Sequence, residues 1–285
     1  MCDLLCALPV STGGPTLFAK NSDRPPDETQ VFELFPIRTD VGVTRVTWVE
    51  VEAHPAPTLA VFGSRPTWGW GLEQGVNEAG VAAGNATIYT TLDPRPFPDA
   101  LTGMDLVRLA LERATTAEAA VDVIDELVTR VGQGGSGHGS IRRPYWSSFL
   151  VADPVRAFVV ETSGPTVAVE EVADVRATSN RTTIPAFDRV HRHPRQPVDA
   201  RVDPRLEAST CALAARPVTV EALQAHLASH EGGEDGWTVC MHVDLPDHHE
   251  ATTASMVAEL RNGSGPVIHH LVGHPCRAPF QRFEL

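Results

Sequence analysis

The sequence predicts an α+β protein built in layers. Three observations carry that reading. Short β-patterned segments fill the first 90 residues and resume after residue 147. A pair of helically spaced segments separates these two blocks, and one more helix comes late. Nowhere do strand and helix alternate with the regularity that a wound parallel sheet requires. With 285 residues, 42% of them hydrophobic, the chain can bury a sizeable core. It shows no internal repeat and no composition break, so residues 1–285 are read as one domain.

Each element follows from its local pattern. Residues 4–8 are apolar and stop at Pro9; Ser11-Thr12-Gly13-Gly14-Pro15 is a turn by composition; residues 16–19 return as the second arm of a hairpin. Residues 31–35 and 43–51 read as strands, and 63–71, rich in Gly and Trp, as a loop over a site. A turn at 76–80 leads into a small-residue strand at 81–88. Apolar residues then recur at helical spacing over 105–113 and 116–131 (Leu106, Leu109; Val121, Ile124, Leu127, Val128), with Thr115 or Thr116 as a cap between them. Residues 132–139 form a glycine-rich connection. Strands follow at 149–152, 157–161, 166–170 and 175–179. The prolines, arginines and histidines of 183–204 read as an irregular excursion. A helix at 218–229 and strands at 237–243, 254–260 and 266–271 complete the pattern.

Composition excludes several classes of function. The net charge of −13 is wrong for neutralising phosphates, so no nucleic-acid partner is expected, and it is equally wrong for a polybasic membrane anchor. No apolar run approaches the roughly 20 residues of a membrane helix, and the first residues carry no positive segment of the secretory kind. Five cysteines, an odd number without a CxxC pair, fit a reducing compartment, and a cytoplasmic location is expected. The oligomeric state is open, a homo-oligomer included. Of 23 basic residues only Lys20 is lysine. That bias can arise from a GC-rich coding sequence, but it draws attention to position 20.

The chemistry points to the first residues. Removal of Met1, which a small second residue permits, would make Cys2 the terminal residue, with a thiol and an α-amine of pKa about 8 on one residue. A nucleophile that carries its own base is an established catalytic arrangement. In the hairpin, Lys20 and Asp23 pass beside Cys2. A lysine near a thiol favours the thiolate, and an aspartate near an α-ammonium orients it. A salt-bridged strand end would use the same residues.

Cys2-Asp3 followed by Ala19-Lys20-Asn21-Ser22-Asp23-Arg24-Pro25 and Asp27-Glu28-Thr29-Gln30 resembles the secernin family, which is grouped with the bacterial dipeptidases of peptidase family C69. Further motifs agree in order: Gly75-Val76-Asn77-Glu78-Ala79-Gly80 with Gly84-Asn85, Ser148 to Pro154 with Glu161-Thr162, Ser179-Asn180, Thr238 to His242, Thr252 to Val257, and Pro275-Cys276. The resemblance implies an N-terminal nucleophile hydrolase: a four-layer αββα sandwich that cleaves amide bonds through an acyl-enzyme, without metal or organic cofactor. More distant relatives, the bile-salt hydrolases and penicillin V acylases, have an Arg-Asn-x-Asp segment where this chain has Lys20-Asn21-Ser22-Asp23. The roles implied are Cys2 as nucleophile and Asp23 as holder of the amine. Asn85 and Asn180 would be oxyanion donors, each worth about 3 kcal/mol. Lys20 would stabilise the thiolate or contact substrate, and Arg205 would contact substrate. A small peptide, a dipeptide by default, is the expected substrate; a non-peptide linear amide and a catalytically silent binding scaffold are the alternatives.

Other signals in the sequence are weaker. His242, His248, His249, His269, His270 and His274 crowd the last third, but no HExxH or comparable ligand spacing is present, and they read as loop histidines. Cys6 and Cys240 read as core residues in apolar strands. Trp68 and Trp70 could line a pocket or cap a sheet edge.

Overall fold

The computed structural model describes residues 1–39, 42–196 and 198–285. The chain opens with β1 (Cys2–Ala7), one helical turn α1 (Pro9–Thr12) and β2 (Thr16–Arg24), followed by β3 (Gln30–Phe35), β4 (Val43–Arg45), β5 (Glu50–Glu52), β6 (Val61–Pro66), β7 (Gln74–Asn77) and β8 (Ala82–Ile88). Helices α2 (Gly103–Arg113) and α3 (Ala117–Arg130) precede β9 (Trp146–Ala152), β10 (Ala157–Ser163), β11 (Thr166–Glu171) and β12 (Val175–Thr178). Then come α4 (Pro185–His191), α5 (Val198–Arg201), α6 (Asp203–Ala212) and α7 (Val220–Leu227). The chain closes with β13 (His242–Leu245), β14 (His248–Leu260), β15 (Val267–Val272) and β16 (Gln281–Glu284).

Two antiparallel seven-stranded sheets stack face to face. One runs β12-β1-β2-β14-β15-β16 with β13 on β14; the other runs β11-β10-β9-β8-β7-β6-β3. Leu4, Cys6, Phe18 and Met256 of the first sheet pack against Val76, Ala82, Leu150 and Val159 of the second. On the outer face of the second sheet, Leu106, Leu109, Ile124 and Leu127 of α2 and α3 meet Ala83, Phe149 and Val151. On the outer face of the first, Leu223 and Leu227 of α7 meet Leu5, Ala7, Ala19 and Val257. The order of layers is α, β, β, α, as expected. Both faces of β1 and β2 are covered, so both strands are buried along their whole length, and their polar residues, Asp3 and Lys20 to Arg24 among them, are buried too.

The helix pair forms where its spacing predicts. Thr102 and Asp105 make a reciprocal capping box at the start of α2, and the Thr116 hydroxyl caps α3 by accepting from Ala119 N–H. Four expectations need correction. Residues 43–51 form two three-residue strands of a separate hairpin instead of one strand. The segment 63–71 is not a loop throughout, because β6 runs to Pro66 and pairs with β3 and β7. The stretch 183–204 is largely helical: Pro185 and Pro204 stand in the first turns of α4 and α6, positions that tolerate proline. Pro197, in that stretch, lies outside the described residues. Residues 237–241 are irregular, and β13 begins only at His242. No helix among the described residues is long and apolar enough to cross a membrane.

Candidate active site

Strand register builds the site. In β1 and β2, Cys2 faces Ser22, Leu4 faces Lys20 and Cys6 faces Phe18, so Cys2 and Lys20 share the face turned toward the second sheet. Cys2 N–H donates to Asn180 Oδ1 at 2.8 Å. Met1 continues the ladder: Asp23 N–H donates to Met1 O at 2.8 Å. The Met1 ammonium donates to Asp23 O at 3.0 Å and to the Glu250 carboxylate. Burial works against the Met1 ammonium and is outweighed by Glu250 and other nearby anions, which raise its pKa. Burial also works against the Glu250 carboxylate, and the ammonium beside it holds that carboxyl well below its usual range.

A chain of buried charges runs behind the thiol. Lys20 is fully buried and places Nζ 3.3 Å from Oε2 of Glu73, the residue just before β7 of the opposite sheet. Gly84 makes room for it, since a Cβ there would lie 2.8 Å from Lys20 Cδ. Arg24 pairs with the other Glu73 oxygen, donates to Glu28 Oε2 from Nε at 2.7 Å, and donates to Gly137 O from Nη2 at 2.6 Å. Burial opposes the ionised form of Glu73, but Lys20 and Arg24 outweigh it and lower its pKa. Burial pushes the Cys2 thiol up; Lys20 pulls it down without cancelling that rise. The thiol therefore needs a base to become a nucleophile.

A second buried cluster holds the Cys2 nitrogen. Arg205 donates to Asp3 Oδ2 from Nη1 at 2.6 Å and to Asn180 Oδ1 from Nη2 at 3.1 Å. Ser179 Oγ donates to Asp3 Oδ1 at 2.7 Å. With two donors on its oxygen, the Asn180 amide turns its nitrogen to Thr87 O at 3.0 Å.

Cys2, Asp23 and Asn85 line one cavity of about 180 Å³, walled further by Tyr145, Trp237 and Glu250. Asn85 Nδ2 lies 3.4 Å from Tyr145 Oη, and Asn85 Oδ1 has no hydrogen-bond partner among the described residues. Thr252 donates to Asp23 Oδ1 at 2.6 Å, while Asp23 Oδ2 is likewise unpartnered. Burial pushes the Asp23 carboxyl up to about 7, against the pull of the terminal ammonium.

Of the residues expected from sequence, Cys2, Asp23 and Asn85 meet in the cavity, and Asn180 stands behind Cys2. Two expected roles change. Asn180 presents its oxygen, not its N–H groups, to Cys2, so it orients the nitrogen and does not supply an oxyanion donor there. Arg205, expected to touch substrate, and Lys20, expected to stabilise the thiolate or touch substrate, are fully buried, and neither lines the cavity; Lys20 pulls the Cys2 thiol down, as the first of its two expected roles requires, and Arg205 acts through Asp3 and Asn180. Trp68 and Trp70 do not line it either: Trp68 lies 5.7 Å from the Arg24 guanidinium and Trp70 lies 4.1 Å from that of Arg108. Cys6 is buried in the inter-sheet core, where burial pushes its thiol up to about 12. Sequence reasoning missed Glu73, Tyr145 and Glu250 in this neighbourhood. None of the three stands in a local pattern that distinguishes it in the sequence.

No protein-family model matches the chain. Solved structures do. Two variants of the conjugated bile acid hydrolase from Clostridium perfringens superpose with a TM-score of 0.57 each, at 11% and 12% identity, over 100% of this chain and 97% of theirs. The Caenorhabditis elegans ortholog of N-acylethanolamine-hydrolyzing acid amidase superposes with a TM-score of 0.53 at 12% identity, over 92% of this chain and 94% of that one. At such identities the likeness speaks for architecture, and the architecture is that of the N-terminal nucleophile hydrolases.

Proposed function

We propose that this protein hydrolyses the amide bond of small peptides, dipeptides by default, with Cys2 as the nucleophile once Met1 has been removed. The observation that carries the reading is the position of Cys2: it lines a cavity shared with Asp23 and Asn85, while its backbone N–H is fixed on Asn180 at 2.8 Å. With Met1 attached, the Cys2 nitrogen is a peptide amide and cannot act as a base. Freed, it becomes an amine with a pKa of about 8, next to a thiol that burial keeps protonated.

The reaction then runs in two halves. The α-amine of Cys2 takes the thiol proton through a water, and Sγ forms a bond to the substrate carbonyl carbon. Asn85 Nδ2 donates to the developing oxyanion. The C–N bond breaks as the amine returns the proton to the leaving nitrogen, which leaves a thioester on Cys2. Water attacks that thioester, the amine takes its proton, and the carboxylic acid departs with the thiol restored. The reduced thiol this requires agrees with a cytoplasmic location, as the cysteine pattern suggests.

Glu250 favours a peptide with a free amino terminus. Here it holds the ammonium of Met1, so a substrate ammonium can take that place when Met1 is gone. The resemblance to the dipeptidases of peptidase family C69 favours the same class. A non-peptide linear amide is the second reading, favoured by the structural neighbours, whose names describe a conjugated bile acid hydrolase and an N-acylethanolamine-hydrolyzing amidase.

The test is intact mass followed by turnover. The expected protein lacks the Met1 residue, cleaves dipeptides, and loses that activity in Cys2→Ala. Glu250→Gln raises KM for free dipeptides and leaves KM for N-acetylated ones unchanged; the reverse pattern favours the non-peptide reading. Folded protein that retains Met1, or turnover indifferent to Cys2→Ala, overturns the mechanism and leaves a binding scaffold.

A further inference from the structure

We infer that this chain holds a zinc ion at a second centre, formed by His230, Cys240, His242 and Cys276. One ligand atom from each of the four lies within 4.8 Å of the other three. His242 Nε2 stands 3.4 Å from Cys240 Sγ and 3.3 Å from Cys276 Sγ. Zinc bonds of about 2.3 Å to sulfur and about 2.0 Å to nitrogen, at the tetrahedral angle, place S and N about 3.5 Å apart. The two separations from His242 Nε2 therefore match sulfur–nitrogen edges of a zinc tetrahedron, and the remaining ligand atoms, all within 4.8 Å of one another, need to close by no more than about 1.5 Å.

The fold assembles this group from three separate segments. His230 follows α7, Cys240 and His242 lead into β13, and Cys276 follows β15. Backbone pairing fixes the first two segments on each other, with Cys240 N–H on Ser229 O and Val239 N–H on Glu231 O, both at 2.9 Å. His242 is further held by the ring of His274, stacked at 4.4 Å. His274 Nδ1 is buried with no hydrogen-bond partner among the described residues. Two thiols and two imidazoles make a closed ligand set of the structural kind, with no position left for water or substrate. Binding displaces a proton from each thiol, and the two thiolates balance the charge of the ion.

The consequence reaches the cavity. Residues 237–241 carry the Trp237 wall, and Val239 O accepts from Asn21 Nδ2 at 2.8 Å. Met241 N–H donates to Thr252 Oγ1, which donates to Asp23. A zinc ion would tie this wall to the segment after β15 and fix its position. The inference does not depend on the amide-hydrolase reading.

The experiment needs no turnover. Protein purified under reducing conditions without chelator is expected to contain one zinc per chain by mass spectrometry of the elements. Metal-stripped, reduced protein titrated with cobalt(II) is expected to develop the visible bands of a tetrahedral thiolate site, saturating at one equivalent. Cys240→Ser and Cys276→Ser lose that spectrum, whereas Cys211→Ser, at an exposed cysteine outside the cluster, keeps it. His230 is exposed, so His230→Ala leaves the circular dichroism unchanged while weakening cobalt binding and shifting its bands. Reduced, folded protein that takes up neither metal overturns the proposal. So does a Cys240–Cys276 disulfide in protein alkylated at lysis, or cobalt binding that survives both serine substitutions.

Discussion

Asp3 and Arg205 form an ion pair in which neither side chain is exposed to solvent, with Oδ2 and Nη1 2.6 Å apart. The pair joins the second residue of β1 to α6, and the same guanidinium holds the oxygen of Asn180 that receives Cys2 N–H. An element without a clear apolar stripe is thereby anchored at the N-terminal strand by one side chain.

Removing one partner of this pair leaves a buried charge unmatched. Asp3→Asn and Arg205→Met are each expected to lower unfolding stability by about 3–5 kcal/mol. The double substitution Asp3→Asn with Arg205→Met should recover part of that loss. Urea denaturation of all four proteins checks this, and a double variant less stable than the sum of the singles contradicts it.

Gly103 opens α2 against β8 and β9. A Cβ there would lie 2.3 Å from Ser147 Oγ and 2.6 Å from Asn85 Nδ2. Gly103→Ala is expected to cost about 1–3 kcal/mol by overpacking and to push Asn85 off its position. Under the proposed mechanism kcat falls with little change in KM, and Asn85→Ala falls further in the same direction. Steady-state kinetics beside a thermal melt separates the two effects.

Lys20 lowers the thiol pKa of Cys2 against the larger effect of burial. Lys20→Met leaves Glu73 paired with Arg24 and removes that pull. The Cys2 thiol should then titrate at higher pH. The pH profile of its alkylation, read by peptide mass, is expected to move upward relative to the unsubstituted protein; an unmoved or lowered profile contradicts the assignment.

Burial opposes the ionisation of Glu28, but bonds from His138, Arg24 and Gly139 N–H prevail and lower its pKa to about 2. Its unfolded value is 4.5, so between these limits the unfolded chain binds more protons and stability rises with pH. The contribution is complete above about pH 5 and is lost as pH falls toward 2. Glu28→Gln should show a shallower acid limb in a series of melts from pH 6 to pH 3 (roughly the window that linkage defines).

Much of this was legible in the sequence because it is local. The β1–β2 hairpin is written in two apolar runs around a Gly-Gly-Pro turn, and the register that brings Cys2 and Lys20 to one face follows from the alternation of strand side chains. The helix pair announces itself through its spacing and the threonines between the two helices, of which Thr116 is the cap. What escaped is nonlocal. Glu73 acquires its role only when the second sheet sets it against Lys20 and Arg24, 53 and 49 residues away. The orientation of the Asn180 amide depends on an arginine in α6. The four residues of the proposed zinc centre span three segments, and no ligand spacing betrays them. The stretch 183–204 misled because two of its prolines, Pro185 and Pro204, normally breakers, occupy the first turns of helices.

The only lysine of the chain is sealed between the sheets. The folded surface accordingly offers acylating reagents, aldehydes and ubiquitin-type conjugation no side-chain amine at all. Whatever primary amine reacts under native conditions is therefore an α-amine. A mild amine-directed tag thus becomes a reporter of a single atom, and the peptide that carries it tells whether that atom sits on methionine or on cysteine.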